Sequence, residues 1–193
     1  MLSLQAMNIK VIVNSIYPMP ESSVEKLESR LTMVSFPKGY HLLEADKLEP
    51  DVFFLDKGIA CAYIHRGGRK VTFWIGREGS TIMSLRSYVS NQKGYETVEL
   101  MEDSDLYMLK RSDLYQLFNE DIHIANWGRK FAEMEFLRTE ERLIPALYTT
   151  ASERYQSLLV DDPELLQRIP LETLASYLGI TPVSLSRIRA KIK

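Results

Sequence analysis

Glu172–Lys193 reads ETLASYLGITPVSLSRIRAKIK, and it carries one acid and four bases in a chain whose formal net charge is −2. Leu171, Leu174, Ala175 and Leu178 fall at i, i+3, i+4 and i+7, one face of a helix. Gly179 follows, where a helix end favours a residue tolerant of the left-handed region. Thr181 is suited to cap a second helix, and Pro182 to occupy its first position, where a missing N–H costs nothing. Leu185 and Ile188 of that helix then turn toward the first, Ala175 permits a close crossing, and Ile180 fills the corner. Helix, glycine turn and capped helix make a helix-turn-helix. With Leu185 and Ile188 inward, the second helix presents Thr181, Ser184, Arg187, Arg189 and Lys191 outward. Such a helix can enter a major groove: Arg187, with its planar fork, suits guanine O6 and N7, and the others suit phosphates. A solvated basic face, favoured by the helix dipole, is the plainer use of the same cations.

Upstream, the texture is different. Val52–Leu55, Ile59–Ile64, Val71–Ile75, Thr97–Met101 and Leu106–Leu109 are short β-rich runs separated by turn residues. Gly67-Gly68 between two of them predicts a hairpin, because both positions accept positive φ. This pattern predicts an antiparallel sandwich or barrel. Before it, Pro20–Leu31 predicts a short amphipathic helix with Ser22 and Glu25 at capping-box spacing. After it, Asn119–Leu143 predicts one long helix that Pro145 ends or kinks. Ile124, Trp127, Phe131 and Met134 form its apolar stripe, which packs either on the chain's own domain or on a second copy.

Composition bounds the function. Hydrophobic residues make up 45% and charged residues 26% of the 193 positions, ordinary values for a globular protein. No apolar run approaches the roughly 20 residues of a membrane span, and the start lacks a signal-peptide pattern. A single cysteine, Cys61, excludes an internal disulfide and fits a reducing compartment, so a cytoplasmic location is expected. No His-x-x-x-His, Cys-x-x-Cys, P-loop or Gly-x-Ser-x-Gly motif is present, so no enzyme is predicted and no metal site is assigned.

Lys38-Gly39, the Asp56-Lys57-Gly58 turn, the long helix and IPLETLASYLGITPVSLSRIR (Ile169–Arg189) together resemble the cyclic-AMP-receptor/FNR (Crp/Fnr) family of bacterial transcription regulators. The resemblance spans nearly the whole chain. It implies an α+β architecture: a cyclic-nucleotide-binding-type antiparallel β-roll over residues 1–118, a dimerisation helix over 119–144, and a winged helix-turn-helix over 145–193. It also implies a homodimer reading two-fold symmetric double-stranded DNA, with RNA polymerase and a small-molecule effector as further partners. Because the sequence stops at Lys193, the wing is expected to be reduced or missing.

Departures from the family pattern narrow this. Nucleotide-binding members use a Gly-Glu pair for the ribose and a downstream Arg for the cyclic phosphate. The corresponding stretch places Gly79, Ile82, Met83, Ser84, Arg86 and Tyr95 at the effector position, with Ser84 where the glutamate would stand and Gly94 or Tyr95 near the arginine's place. Losing that arginine removes a charge-assisted anion contact. Neither Arg77 nor Arg86 has the right spacing to replace it, so cyclic AMP is not the expected cofactor and the effector is unidentified. One cysteine is too few for the iron–sulfur cluster of the oxygen-sensing branch. His41, His65 and His123 are isolated and read as surface or core residues. A signalling module whose C-terminal helices contact a protein partner is the alternative to DNA binding.

Overall fold

The computed structural model of the chain describes residues 8–192. Helices α1 (Ile9–Ile16) and α2 (Glu21–Glu28) precede strands β1 (Leu31–Phe36), β2 (His41–Leu43), β3 (Val52–Lys57), β4 (Ala60–Arg66), β5 (Arg69–Gly76) and β6 (Thr81–Ile82). Helix α3 (Leu85–Ser90) is followed by β7 (Thr97–Leu100) and β8 (Ser104–Leu109). Six helices close the chain: α4 (Arg111–Glu120), α5 (Ile122–Tyr148), α6 (Ala151–Asp161), α7 (Leu165–Arg168), α8 (Leu171–Tyr177) and α9 (Pro182–Ile192).

The strands form two four-stranded antiparallel sheets, ordered β1-β8-β3-β6 and β2-β7-β4-β5. Alternation along β3 explains why its sequence is apolar at successive positions. Phe53 and Leu55 join Leu42, Leu43, Ala60, Ala62, Val98, Leu100 and Leu106 between the sheets. Val52 and Phe54 face the other way, onto Ile12, Val13, Val24, Leu27, Leu114, Leu117, Ile124 and Trp127. Strand β4 is likewise two-faced: Ala60 and Ala62 point into the roll, and Cys61 points out to Tyr155, Leu165, Leu166, Leu174, Leu178 and Leu185. Helices therefore cover the outer faces of both sheets. The expected hairpin forms between β4 and β5, with Gly67 at φ +57 and Gly68 at φ +73. Strands β1 and β6 and helix α1 complete the roll without having been predicted.

Several expectations need correction. The long helix is not continuous from Asn119. Asp121 sits in extended backbone (φ −142, ψ 110), ends α4, and caps α5 by accepting from the N–H groups of His123 (3.0 Å) and Ile124 (3.3 Å). Burial pushes the Asp121 carboxyl up, but the helix N–H groups, Ser23 and Lys26 outweigh it and hold it below the ordinary carboxylate value. At its other end α5 runs through Pro145 to Tyr148. The bond lost at Pro145 leaves the carbonyl of exposed Glu141 to water. The capping box at Ser22 is absent: Pro20 occupies the N-cap, and Ser23 donates to Asp121 at 3.1 Å instead.

Ile124 and Trp127 are 0% and 1% exposed within the chain's own core, so they are not on a face free for a second copy. Trp127 stacks on half-buried Phe131 (5.7 Å, 6°) and meets Phe54 edge-tilted at 5.8 Å. The exposed apolar face of α5 lies further along, at Phe136, Leu137, Leu143, Ile144, Leu147 and Tyr148. Trp127→Ala is expected to cost about 3–5 kcal/mol of stability, read from urea denaturation of the whole chain.

Candidate functional site

The end of α8 is built by two hydrogen bonds that reverse the chain. Ile180 N–H donates to Ala175 C=O at 2.9 Å and Gly179 N–H to Ser176 C=O at 3.0 Å, with Gly179 at φ +71. This 6→1 and 5→2 pair is a Schellman ending. The next helix starts two residues later: Ser184 N–H donates to Thr181 Oγ1 (3.2 Å) and Leu185 N–H to Thr181 C=O (3.0 Å). Leu185 is fully buried against Leu174, Ala175 and Leu178, with half-buried Ile180 and Ile188 beside it. From α6, Arg154 donates to the C=O of Leu178 at 2.9 Å and ties the turn down.

That packing decides what α9 presents. Thr181, Pro182, Val183, Arg187 and Lys191 are exposed. Among the described residues, no ion pair engages Arg187. Thr181 and Ser184 bond each other at 3.0 Å and so combine exposure with a capping role. Arg189 departs from the expected outward position. Its guanidinium lies over the ring of buried Tyr155 at 5.8 Å, and its buried Nε has no partner among the described residues, so it faces α6. Helical spacing explains the difference: Arg189 is four residues from Leu185 and shares its inward face.

The residues expected to line an effector pocket do not converge. Gly79 makes the β5–β6 turn, donating to Leu55 C=O at 2.8 Å, and Ile82 is buried between the sheets. Met83 packs against the helix-side core. Arg86 is exposed and donates to Gln92 at 3.0 Å, and Tyr95 is exposed beside Phe73, ring centroids 6.3 Å apart. Only Ser84 meets a partner position. Its buried Oγ has no hydrogen bond, and a Cβ placed on Gly94 would lie 2.7 Å from it. The same Cβ would lie 3.5 Å from the carboxylate of buried Glu96, which accepts from Tyr95 N–H at 3.0 Å. Ser84 and Gly94 are thus pressed together with a buried acid beside them. Two open surface depressions, about 390 and 340 Å³, lie elsewhere, around Asp51, Arg111 and Tyr115 and around Lys57, Asp103 and Asp105.

A cluster the sequence did not announce joins the C-terminal helices to the roll. Arg168, at the end of α7, pairs with Glu78 and Glu102, all three half-buried. Burial raises the Glu78 carboxyl, but Arg168 and the N–H of Gly58 outweigh it and leave it below its ordinary value. Glu78 is therefore ionised at neutral pH, and the stability its pairing contributes is lost as pH falls through that lowered value. Among the described residues no group of three or more His, Cys, Asp or Glu could hold a metal ion, and no helix is long and apolar enough to cross a membrane.

Comparison with known proteins follows the same division. Residues 33–121 match the family described as the cyclic nucleotide-binding domain. No curated protein matches the chain. Among solved structures it is similar to FixK2 from Bradyrhizobium japonicum, at 19% identity and TM-score 0.72, with 84% of each chain covered. It is similar to the c-di-GMP responsive global regulator CLP of Xanthomonas campestris, at 13% identity and TM-score 0.72, covering 90% of this chain and 91% of that one. The catabolite activator protein of Thermus thermophilus matches at 17% identity and TM-score 0.59, covering 92% and 85%. Identities this low speak for a shared fold. Residues 33–121 thus match the cyclic nucleotide-binding domain family, and the chain as a whole is similar in fold to these regulators and to a solved structure described as a transcriptional regulator of the Crp/Fnr family.

Proposed function

We propose that this protein is a homodimeric, sequence-specific DNA-binding transcription regulator whose effector pocket is degenerate and does not bind cyclic AMP. The observation that carries the reading is the pairing of a fully buried Leu185 with an exposed Arg187 on a capped helix that follows a Schellman turn. The helices α8 and α9 then serve as the helix-turn-helix, with α9 in the major groove. Arg187 reads guanine, exposed Val183 is placed to meet a thymine methyl, and Lys191 holds phosphate. Thr181 and Ser184, near the helix start, add phosphate contacts. Arg189 supports the helix from behind and is not part of this surface.

Two copies are needed to read a two-fold site with recognition helices about 34 Å apart. The exposed half of α5 supplies a seam. Phe136 and Leu143, and Leu137 and Ile144, are each seven residues apart, and Leu147 and Tyr148 extend the same two rows. This heptad spacing suits coiled-coil-like packing against a second copy. It replaces the stripe at Ile124, Trp127, Phe131 and Met134.

The pocket reading rests on charge and space. With Ser84 where the ribose-binding glutamate would stand and Gly94 or Tyr95 near the place of the phosphate-binding arginine, the charged pair for a cyclic nucleotide is missing. The Glu96 carboxylate beside them opposes a cyclic phosphate.

Three measurements test these statements. Purified protein is expected to shift discrete duplexes selected from a random pool, with affinity falling steeply as salt rises. Arg187→Ala is expected to weaken the selected duplex by about 1–3 kcal/mol and to relax the preference at one base position. A protein-contacting module would show neither discrete sites nor a salt slope. Leu143→Glu with Leu147→Glu is expected to weaken self-association about 30-fold or more in sedimentation equilibrium, with helix content kept. Cyclic AMP at saturating concentration is expected to leave the melting temperature unchanged, and a shift of several degrees at micromolar nucleotide would overturn the pocket reading.

A further inference from the structure

The α6–α9 unit is fastened to the β-roll by contacts that leave the outer face of α9 untouched. Arg168 donates from Nη1 and Nη2 to the two oxygens of Glu78 (3.0 and 2.7 Å) and from Nε and Nη2 to those of Glu102 (3.1 and 2.7 Å). Glu78 follows β5 and is itself oriented by Gly58 N–H at 2.9 Å, while Glu102 follows β7. One planar guanidinium shared between two bidentate carboxylates on different loops admits essentially one orientation. Arg77 adds an ion pair to Asp162 at 3.1 Å.

A second fastening lies on α8. Strand β5 is the last in its sheet, with open backbone groups on one side. Ser176 fills two of them: its Oγ accepts from Thr72 N–H at 2.9 Å and donates to Lys70 C=O at 2.8 Å. One side chain stands in for a neighbouring strand and registers α8 against β5. None of these contacts uses Thr181, Val183, Arg187 or Lys191.

We infer that Arg168 and Ser176 are positioning residues for DNA recognition, which lock the C-terminal unit in a single orientation on the β-roll so that the protein binds its site without a small-molecule effector. The inference rests on the DNA-binding reading above. It follows from a clamp assembled wholly from the chain's own groups. A locked dimer holds its two recognition helices at one separation, so it accepts one half-site spacing. An unlocked one samples many, and its apparent affinity falls with the fraction in the competent arrangement.

The test uses the full chain and duplexes selected by the wild-type protein from a random pool, together with versions lengthened or shortened by a single base pair at the centre. Wild type, without nucleotide, is expected to discriminate between these spacings about tenfold or more. Arg168→Met, checked for folding by circular dichroism, is expected to lose about tenfold on the selected duplex and most of the spacing discrimination. Its Thr72 amide, which donates to Ser176, is expected to exchange faster. Arg168→Lys, with a point charge in place of the fork, should restore only part of the discrimination. Should Arg168→Met not fold, Ser176→Ala removes only two hydrogen bonds and is expected to move both readouts the same way. A merely structural role would lower stability and leave spacing preference intact, and that result overturns the inference alone. So would a wild-type protein that needs cyclic AMP to bind. Failure to select any duplex would sink the DNA reading and the inference together, with Thr72 exchange still reporting the clamp.

Discussion

Strands β3 and β4 are apolar on both faces, and each face has to be removed from water. Val52 and Phe54 require cover on one side of the roll, and Cys61, with Ile59 beside it, requires cover on the other. The first is supplied by α1, α2, α4 and the start of α5, the second by α6 to α9. A chain with a polar outer face on its second sheet could leave its C-terminal helices hanging from α5. This chain cannot, because undocking them would expose Ile59, Cys61, Met101 and their partners together. The same burial pushes the Cys61 thiol up to about 12, so it serves as a small apolar side chain and not as a reactive one.

What could be read from the sequence follows from the range of the interactions involved. The Gly67-Gly68 hairpin and the Leu171–Ile188 arrangement are set by neighbours within a few residues, and periodicity with turn chemistry exposed both. The short strands β2 and β6, three and two residues long, carry too few residues to show a period, and they exist because β7 and β3 are there to pair with them. The break at Asp121 was hidden because capping and helix continuation look alike in a run of helix-tolerant residues. The stripe of α5 did not name its partner: Ile124 and Trp127 are periodic because they pack with Phe54 and Leu117 in the chain's own core, and periodicity alone cannot tell that from a second copy. Arg189 was misplaced because charge was taken to imply exposure, whereas a guanidinium can lie over an aromatic ring. Arg168, Glu78 and Glu102 carried no local signal. They are 90 and 66 residues apart in sequence, and only the docking of α7 brings them together.

The packing of Gly94 shows the same dependence on distant groups. The loop before β7 approaches α3 so closely that a Cβ on residue 94 would collide with Ser84 Oγ. Asp46 N–H donating to Gly94 C=O (2.9 Å), and Gly94 N–H donating to Lys47 C=O (2.9 Å), fasten that loop from its other side. A side chain added at position 94 would therefore meet Ser84 while its own backbone is held from the other side.

The ionic clamp and the apolar cluster around it do different work. Burying a guanidinium with two carboxylates gains little net stability, since desolvation offsets most of the attraction. Adhesion between the two parts is already provided by Ile59, Met101, Leu174 and Leu178, whose contacts are numerous and non-directional. Such a surface can slide or rotate by small amounts at low cost. A planar fork held at four points within hydrogen-bond distance cannot, and neither can a serine bridging two backbone groups of one strand. On the proposed DNA-binding reading, a separation of about 34 Å between two recognition helices would magnify any rotation at the hinge into a displacement along the groove. Such a reader has to control orientation more than adhesion, and the polar contacts are the ones that fix orientation.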